Sequence, residues 1–269
     1  DPKLTYSKHI KTTTEKAKKT LNILKAISGT NWGKDKETIE ITYKAITRPI
    51  LEYGSTIWGP IISDTQLNNL QKVQNEALRL ATGLTKDTNT IHLHTETHIL
   101  PIKNHINLHC SQAALLTHQQ PNTLLHLTNP TINRQKKHTI FNNPTHLATK
   151  TIEEQKTNNL TIEQAKKIIH TTTVKEYIDT LPNHPLLNLP TPNTHKDELD
   201  LDRQTRRTLA QLRAGNSPML LEYLHKIDPN QHPSPLCPAC GEKNHDVKHI
   251  FECTVVGSSL GLGDLWADP

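Results

Sequence analysis

The chain has 269 residues, enough for one or two domains with cores of their own. Only 33% of the residues are hydrophobic, with 2 Phe and 5 Tyr, so the core must be thin and built from Leu, Ile and Ala, a palette that suits helices better than sheets. The net charge of +5 suits a polyanionic partner such as RNA or DNA, whereas the lack of any apolar run of membrane-spanning length argues against a membrane partner.

Thr, Asn, His, Lys, Gln and Pro are abundant while Gly, Val, Phe, Met and Cys are scarce, which reads as a nucleotide bias of the coding strand. The 17 histidines are accordingly expected to be mostly solvent-facing, and their number alone argues no metal site. Three of the four cysteines fall within 17 residues and the fourth, Cys110, stands apart. That is not a disulfide scaffold; a reducing, intracellular compartment is expected, nucleus or cytoplasm. The opening Asp1-Pro2-Lys3-Leu4 has no signal-peptide character and reads as the interior of something longer.

In chain order, Ile10, Ala17, Leu21, Leu24 and Ile27 predict a first helix ended by Gly29 and Gly33. Seven lysines against Asp1 and Glu15 in residues 1–25 make it the most basic stretch, and Lys11, Lys18 and Lys19 are candidate phosphate contacts. A second helix from Asp35 is expected to turn Ile39, Tyr43, Ile46, Ile50 and Tyr53 inward and to kink at Pro49. Ser63 is placed to cap a third, whose inner face is Leu67, Leu70, Val73, Ala77 and Leu80 and whose end is Gly83. Leu67, Leu70 and Val73 are expected to pack on Ile46 and Ile50. Pro101 opens a fourth helix, with Ile102, Ile106, Cys110 and Ala113 or Ala114 inward, so Cys110 reads as a small core residue.

Residues 118–150 lack a sustained period and read as a linker, with Arg134, Lys136 and Lys137 on it; residues 160–179 recover a helical pattern, and the Pro-rich 181–195 reads as a second linker. Residues 201–214 predict an amphipathic helix with Leu201, Leu209 and Leu212 on one side and Arg203, Arg206, Arg207 and Arg213 on the other, ended by Gly215. Four arginines on one stripe would suit bidentate phosphate contact, and the alternative is a solvated face.

Cys237, Cys240, His249 and Cys253 give the spacing C-x2-C-x8-H-x3-C. Two thiolates two residues apart on a tight turn can grip one side of a tetrahedral zinc, and a His and a Cys four apart on a helical turn can complete the other. His245 is the competing ligand, but it leaves seven residues to Cys253. Four protein ligands would close the coordination sphere, so such a zinc would be structural. No adjacent aspartate pair, phosphate-binding glycine loop, nucleophile elbow or His-Glu-x-x-His occurs.

Read together, several segments resemble the jockey-like non-LTR retrotransposon reverse transcriptases. Residues 1–10 (DPKLTYSKHI) are similar to the stretch that follows the palm in that family, Pro49 to Gly59 (PILEYGSTIWG) to its "ILEYGxxxWG" element, and Leu70 to Gly83 (LQKVQNEALRLATG) to its "LQ-x-x-QN-x-x-LR-x-x-TG" helix. Arg206 to Asn216, the Cys-Cys-His-Cys spacing and Asp264 to Pro269 resemble the tail of such elements. The resemblance implies a mainly α chain: a helical thumb-like region over 1–117, a linker with one helix over 118–199, and an Arg-rich helix, zinc knuckle and tail over 200–269. It implies the nucleic-acid-binding C-terminal region of an RNA-directed DNA polymerase, partnered by RNA or DNA and by the rest of the polyprotein, with structural Zn2+ here and catalytic Mg2+ only in the palm. The isolated chain is then expected not to polymerise. A decayed remnant of the element and a zinc-knuckle module for protein partners are the alternatives.

Overall fold

The computed structural model describes residues 5–29, 32–118, 150–154, 160–183, 186–187 and 200–266. The two expected linkers, 118–150 and 181–195, lie largely outside these residues, as do Lys3, Arg134, Lys136 and Lys137. The described chain is mainly helical and contains no strand, only a single antiparallel bridge between Leu236 and Asn244. It forms two compact units, each drawn from three stretches of sequence: residues 1–22, 43–74 and 100–181 in the first, and residues 23–42, 75–99 and 182–269 in the second.

Helix α1 is Ser7–Ile27, and its inward residues are Ile10, Thr13, Thr14, Ala17, Leu21 and Leu24. Buried threonines extend the thin apolar face. Thr14 donates to the carbonyl of Ile10 at 2.7 Å, Thr82 to Leu78 at 2.9 Å, Thr97 to Leu93 at 2.7 Å and Thr173 to Ile169 at 2.8 Å. Each hydroxyl reuses a helical carbonyl four residues back, so it is satisfied inside the fold and its methyl is free to pack.

The second expected helix is broken into α2 (Lys36–Thr42), a π turn (Tyr43–Thr47) and α3 (Arg48–Glu52), with Pro49 in the first turn of α3. A π turn adds one residue to the repeat and rotates everything after it by about 100°. Inward positions accordingly shift by one: Ile39 and Tyr43 are buried as expected, but Thr47 and Leu51 replace Ile46 and Ile50. Ile46 is 37% and Tyr53 77% exposed, while Leu67, Leu70 and Val73 are buried.

Helix α4 is Ser55–Trp58 and α5 is Asp64–Thr82. Ser63 Oγ accepts from the Gln66 N–H at 3.3 Å while the Gln66 side chain accepts from the Ser63 N–H at 2.7 Å, a capping box that fixes the start of α5. Gly83, at φ 72°, ends it and donates to the Arg79 carbonyl at 2.8 Å. Helices α6 (Thr90–Thr97), α7 (Ile102–His118) and α8 (Ile162–Asp179) follow. The capping box of Thr161 and Gln164 starts α8, which packs on α7 around Leu108, Leu115, Ile152, Ala165 and Ile169. Cys110 is buried on the α4 side of α7 as a core thiol, pushed up to about 12 by burial, with Sγ 3.6 Å from the Ser55 carbonyl.

In the second unit, α9 (Arg203–Arg213), α10 (Leu221–Ile227), α11 (Val247–Glu252) and a 3-10 turn (Leu262–Leu265) enclose a small core of Leu220, Tyr223, Val247, Leu265 and Trp266. Leu209 and Leu212 of α9 and Ile250 and Phe251 of α11 pack against it.

Candidate metal centre

The Cys237 segment turns back on itself as a tight hairpin. Cys237 N–H donates to the Lys243 carbonyl and His245 N–H to the Pro235 carbonyl, both at 2.8 Å, on either side of the Leu236–Asn244 bridge. At the tip the Gly241 N–H donates to the Cys237 carbonyl at 2.8 Å; Gly241 takes φ 67°, a conformation that a side chain would strain. This turn sets the Cys237 and Cys240 side chains together. Asp246 caps α11 by accepting from the His249 N–H at 2.6 Å, and one helical turn then carries His249 and Cys253 to the same place.

All four ligand atoms lie within 4.8 Å of one another. Cys237 Sγ and Cys253 Sγ are 4.0 Å apart, and Cys240 Sγ is 3.2 Å from His249 Nε2. Two sulfurs on one tetrahedral zinc stand about 3.8 Å apart and a sulfur and an imidazole nitrogen about 3.6 Å, from the usual bond lengths. The observed separations bracket these values, so the cluster can hold a metal ion. Cys237, Cys253 and His249 are buried. Backbone N–H groups of Glu242 and Lys243, ahead of the His249 contact, bring the Cys240 thiol down to about 6, which favours the thiolate, the ligand form. His245 is not in the cluster: its Nδ1 accepts from the Leu221 N–H at 3.1 Å, which ties α10 to the hairpin.

The arginine stripe of α9 requires a correction. Arg206 and Arg213 are buried, at 7% and 5% exposure. Arg206 pairs with Glu37, and Arg213 pairs with Glu96 at 3.3 Å while donating to the Leu265 carbonyl at 2.7 Å. Arg203 donates to the carbonyls of Gly29, Lys34 and Leu80, and Arg207 to that of Gly83 at 3.1 Å. Leu80 and Gly83 belong to the C-terminal end of α5, where unsatisfied carbonyls and the helix dipole favour cations. The stripe therefore clamps the second unit internally and does not present a free phosphate-binding face.

Lys11, Lys18 and Lys19 are different. All three are exposed on α1, Lys19 opposite Ile10, Ala17 and Leu21 beside the exposed Lys8, and Lys11 and Lys18 on the flank. Glu52, His105 and His109 form a second group that could hold a metal ion, and the His-x3-His spacing at 105 and 109 is its signal in the sequence. No helix of the described residues is long and apolar enough to cross a membrane. The chain matches no protein-family model, no curated protein and no solved structure.

Proposed function

We propose that the chain is the C-terminal, post-palm region of a non-LTR retrotransposon reverse transcriptase, a non-catalytic helical segment that holds RNA or DNA and is closed by a structural zinc knuckle. The observation that carries this reading is the convergence of Cys237, Cys240, His249 and Cys253, whose spacing and place in the order of segments are those the resemblance implies. Three thiols and an imidazole are soft and borderline donors, suited to Zn2+ and unsuited to Mg2+ or Ca2+. With four protein ligands, zinc would cross-link hairpin and α11 and leave no open position for chemistry.

Nucleic-acid contact falls to the lysine side of α1, since the arginines of α9 are spent inside the fold. Lys11, Lys18 and Lys19 would neutralise phosphates as point charges, without reading sequence. The test is fluorescence anisotropy of a labelled single-stranded RNA across a salt series. Each phosphate contact contributes about −0.7 to the slope of log affinity against log salt, so changing all three lysines to Gln should flatten the slope by about 2. An unchanged slope would contradict the assignment, and no binding by the zinc-loaded chain would contradict the function.

A further inference from the structure

Glu52 ends α3, and α4 follows it closely onto α7. Gly59, just past α4, permits that approach: a Cβ there would stand 2.7 Å from Ile106 Cγ2 and 2.4 Å from the Ser55 carbonyl oxygen. His105 and His109 are one turn apart on the face of α7 that Glu52 meets. His105 Nδ1 lies 2.7 Å from Glu52 Oε1, and His109 Nδ1 3.9 Å from Glu52 Oε2. The carboxylate is buried, with its side chain 8% exposed, as is most of His105, whereas His109 is 37% exposed.

The pairing is not an ordinary hydrogen bond. Despite their proximity, neither Glu52 Oε1 nor His105 Nδ1 has an aligned hydrogen-bond partner, and both atoms are buried. Two buried polar atoms in contact without an aligned proton between them are incompletely satisfied. A cation between the three side chains would satisfy them together. One ligand atom from each of the three residues lies within 4.8 Å of the others, a grouping that can hold a metal ion, and tetrahedral zinc would open the 2.7 Å separation of Glu52 and His105 to about 3.4 Å.

We propose that Glu52, His105 and His109 form a second metal site, separate from the cysteine cluster, that takes a divalent transition cation of the zinc class. Its two nitrogens and one oxygen exclude Ca2+ and Mg2+, which require mostly oxygen ligands. Three protein ligands leave one position for water on the exposed His109 side. The metal would link the end of α3 to α7 within the first unit.

The test uses the whole chain carrying one equivalent of zinc on its cysteines, with Co2+ as the probe. The expected result is one further equivalent of Co2+ that shows visible d–d bands but no near-ultraviolet thiolate charge-transfer band, with the zinc retained. His109→Ala, at the exposed ligand, and Glu52→Gln, which keeps the shape, should each weaken that second equivalent by more than about 100-fold, since loss of a direct ligand exceeds the effect of losing an outer-shell partner. Circular dichroism identifies whichever variants fold, and loss in a folded variant supports the site. Absence of a second equivalent in the wild-type chain, or its retention in both variants, overturns it.

Discussion

Replacing Arg213 by Met removes a buried charge that the Leu265 carbonyl and Glu96 hold. Its Nε donates to the Leu265 carbonyl at 2.7 Å, and its Nη1 lies 3.3 Å from Glu96 Oε1. A buried hydrogen bond from a charged donor contributes about 1.5–3 kcal/mol, and stranding the partner of a buried ion pair costs about 3–5 kcal/mol. The second figure must be reduced here, because Lys36 remains 3.4 Å from the same Glu96 oxygen. The net expectation is a loss of about 3–4 kcal/mol, measured by urea denaturation. In a double-mutant cycle with Glu96→Gln, the two changes should couple by at least about 1 kcal/mol, because they share one buried network. A loss below about 0.5 kcal/mol, the range of ordinary surface substitutions, would refute the internal role of this arginine and return it to the solvated stripe.

Burial, opposed by the hydrogen bond to the Ile99 carbonyl at 2.8 Å, pushes His94 down to about 4. The unfolded chain then binds the extra proton first, so stability is fully present above about 6.5 and falls as pH drops towards 4, by about 3 kcal/mol in all; His94→Asn should flatten that part of the urea-melt pH profile, and an unchanged profile would count against it. Leu70 is fully buried, and Leu70→Ala should cost about 2–5 kcal/mol, against which a shift under 0.5 kcal/mol in a denaturant melt would stand. Primer extension on an RNA template with the purified chain should yield no product, because the sequence holds no adjacent aspartate pair to bind catalytic metals; any template-dependent DNA would contradict this.

Periodicity and capping residues made the long helices legible. Ser63 and Gly83 bound α5 as expected, and Pro101 and Gly215 mark the ends they were assigned. The π turn at Tyr43–Thr47 was not legible, since a repeat that gains one residue looks in sequence like an uninterrupted helix with a proline in it. Its effect is a one-residue shift of the inward positions from Ile46 to Thr47 and from Ile50 to Leu51. The arginine stripe was found, but its use was not: the carbonyls that hold Arg203 and Arg207 lie more than a hundred residues upstream, and an acceptor on a helix end has no sequence signature. The cysteine cluster was the easiest feature to read, because the turn and the helical repeat that assemble it are both local. The Glu52 group was half visible, as two histidines one turn apart, but its carboxylate comes from a distant helix end.

X-ray absorption at the zinc edge, on whole chain dialysed to one equivalent of metal, measures the ligand set directly. With Cys237, Cys240, His249 and Cys253 as ligands, the inner shell should hold three sulfurs at about 2.3 Å and one nitrogen at about 2.0–2.1 Å. A shell of nitrogen and oxygen alone, or a chain that retains no zinc, would contradict the structural knuckle on which the proposed function rests.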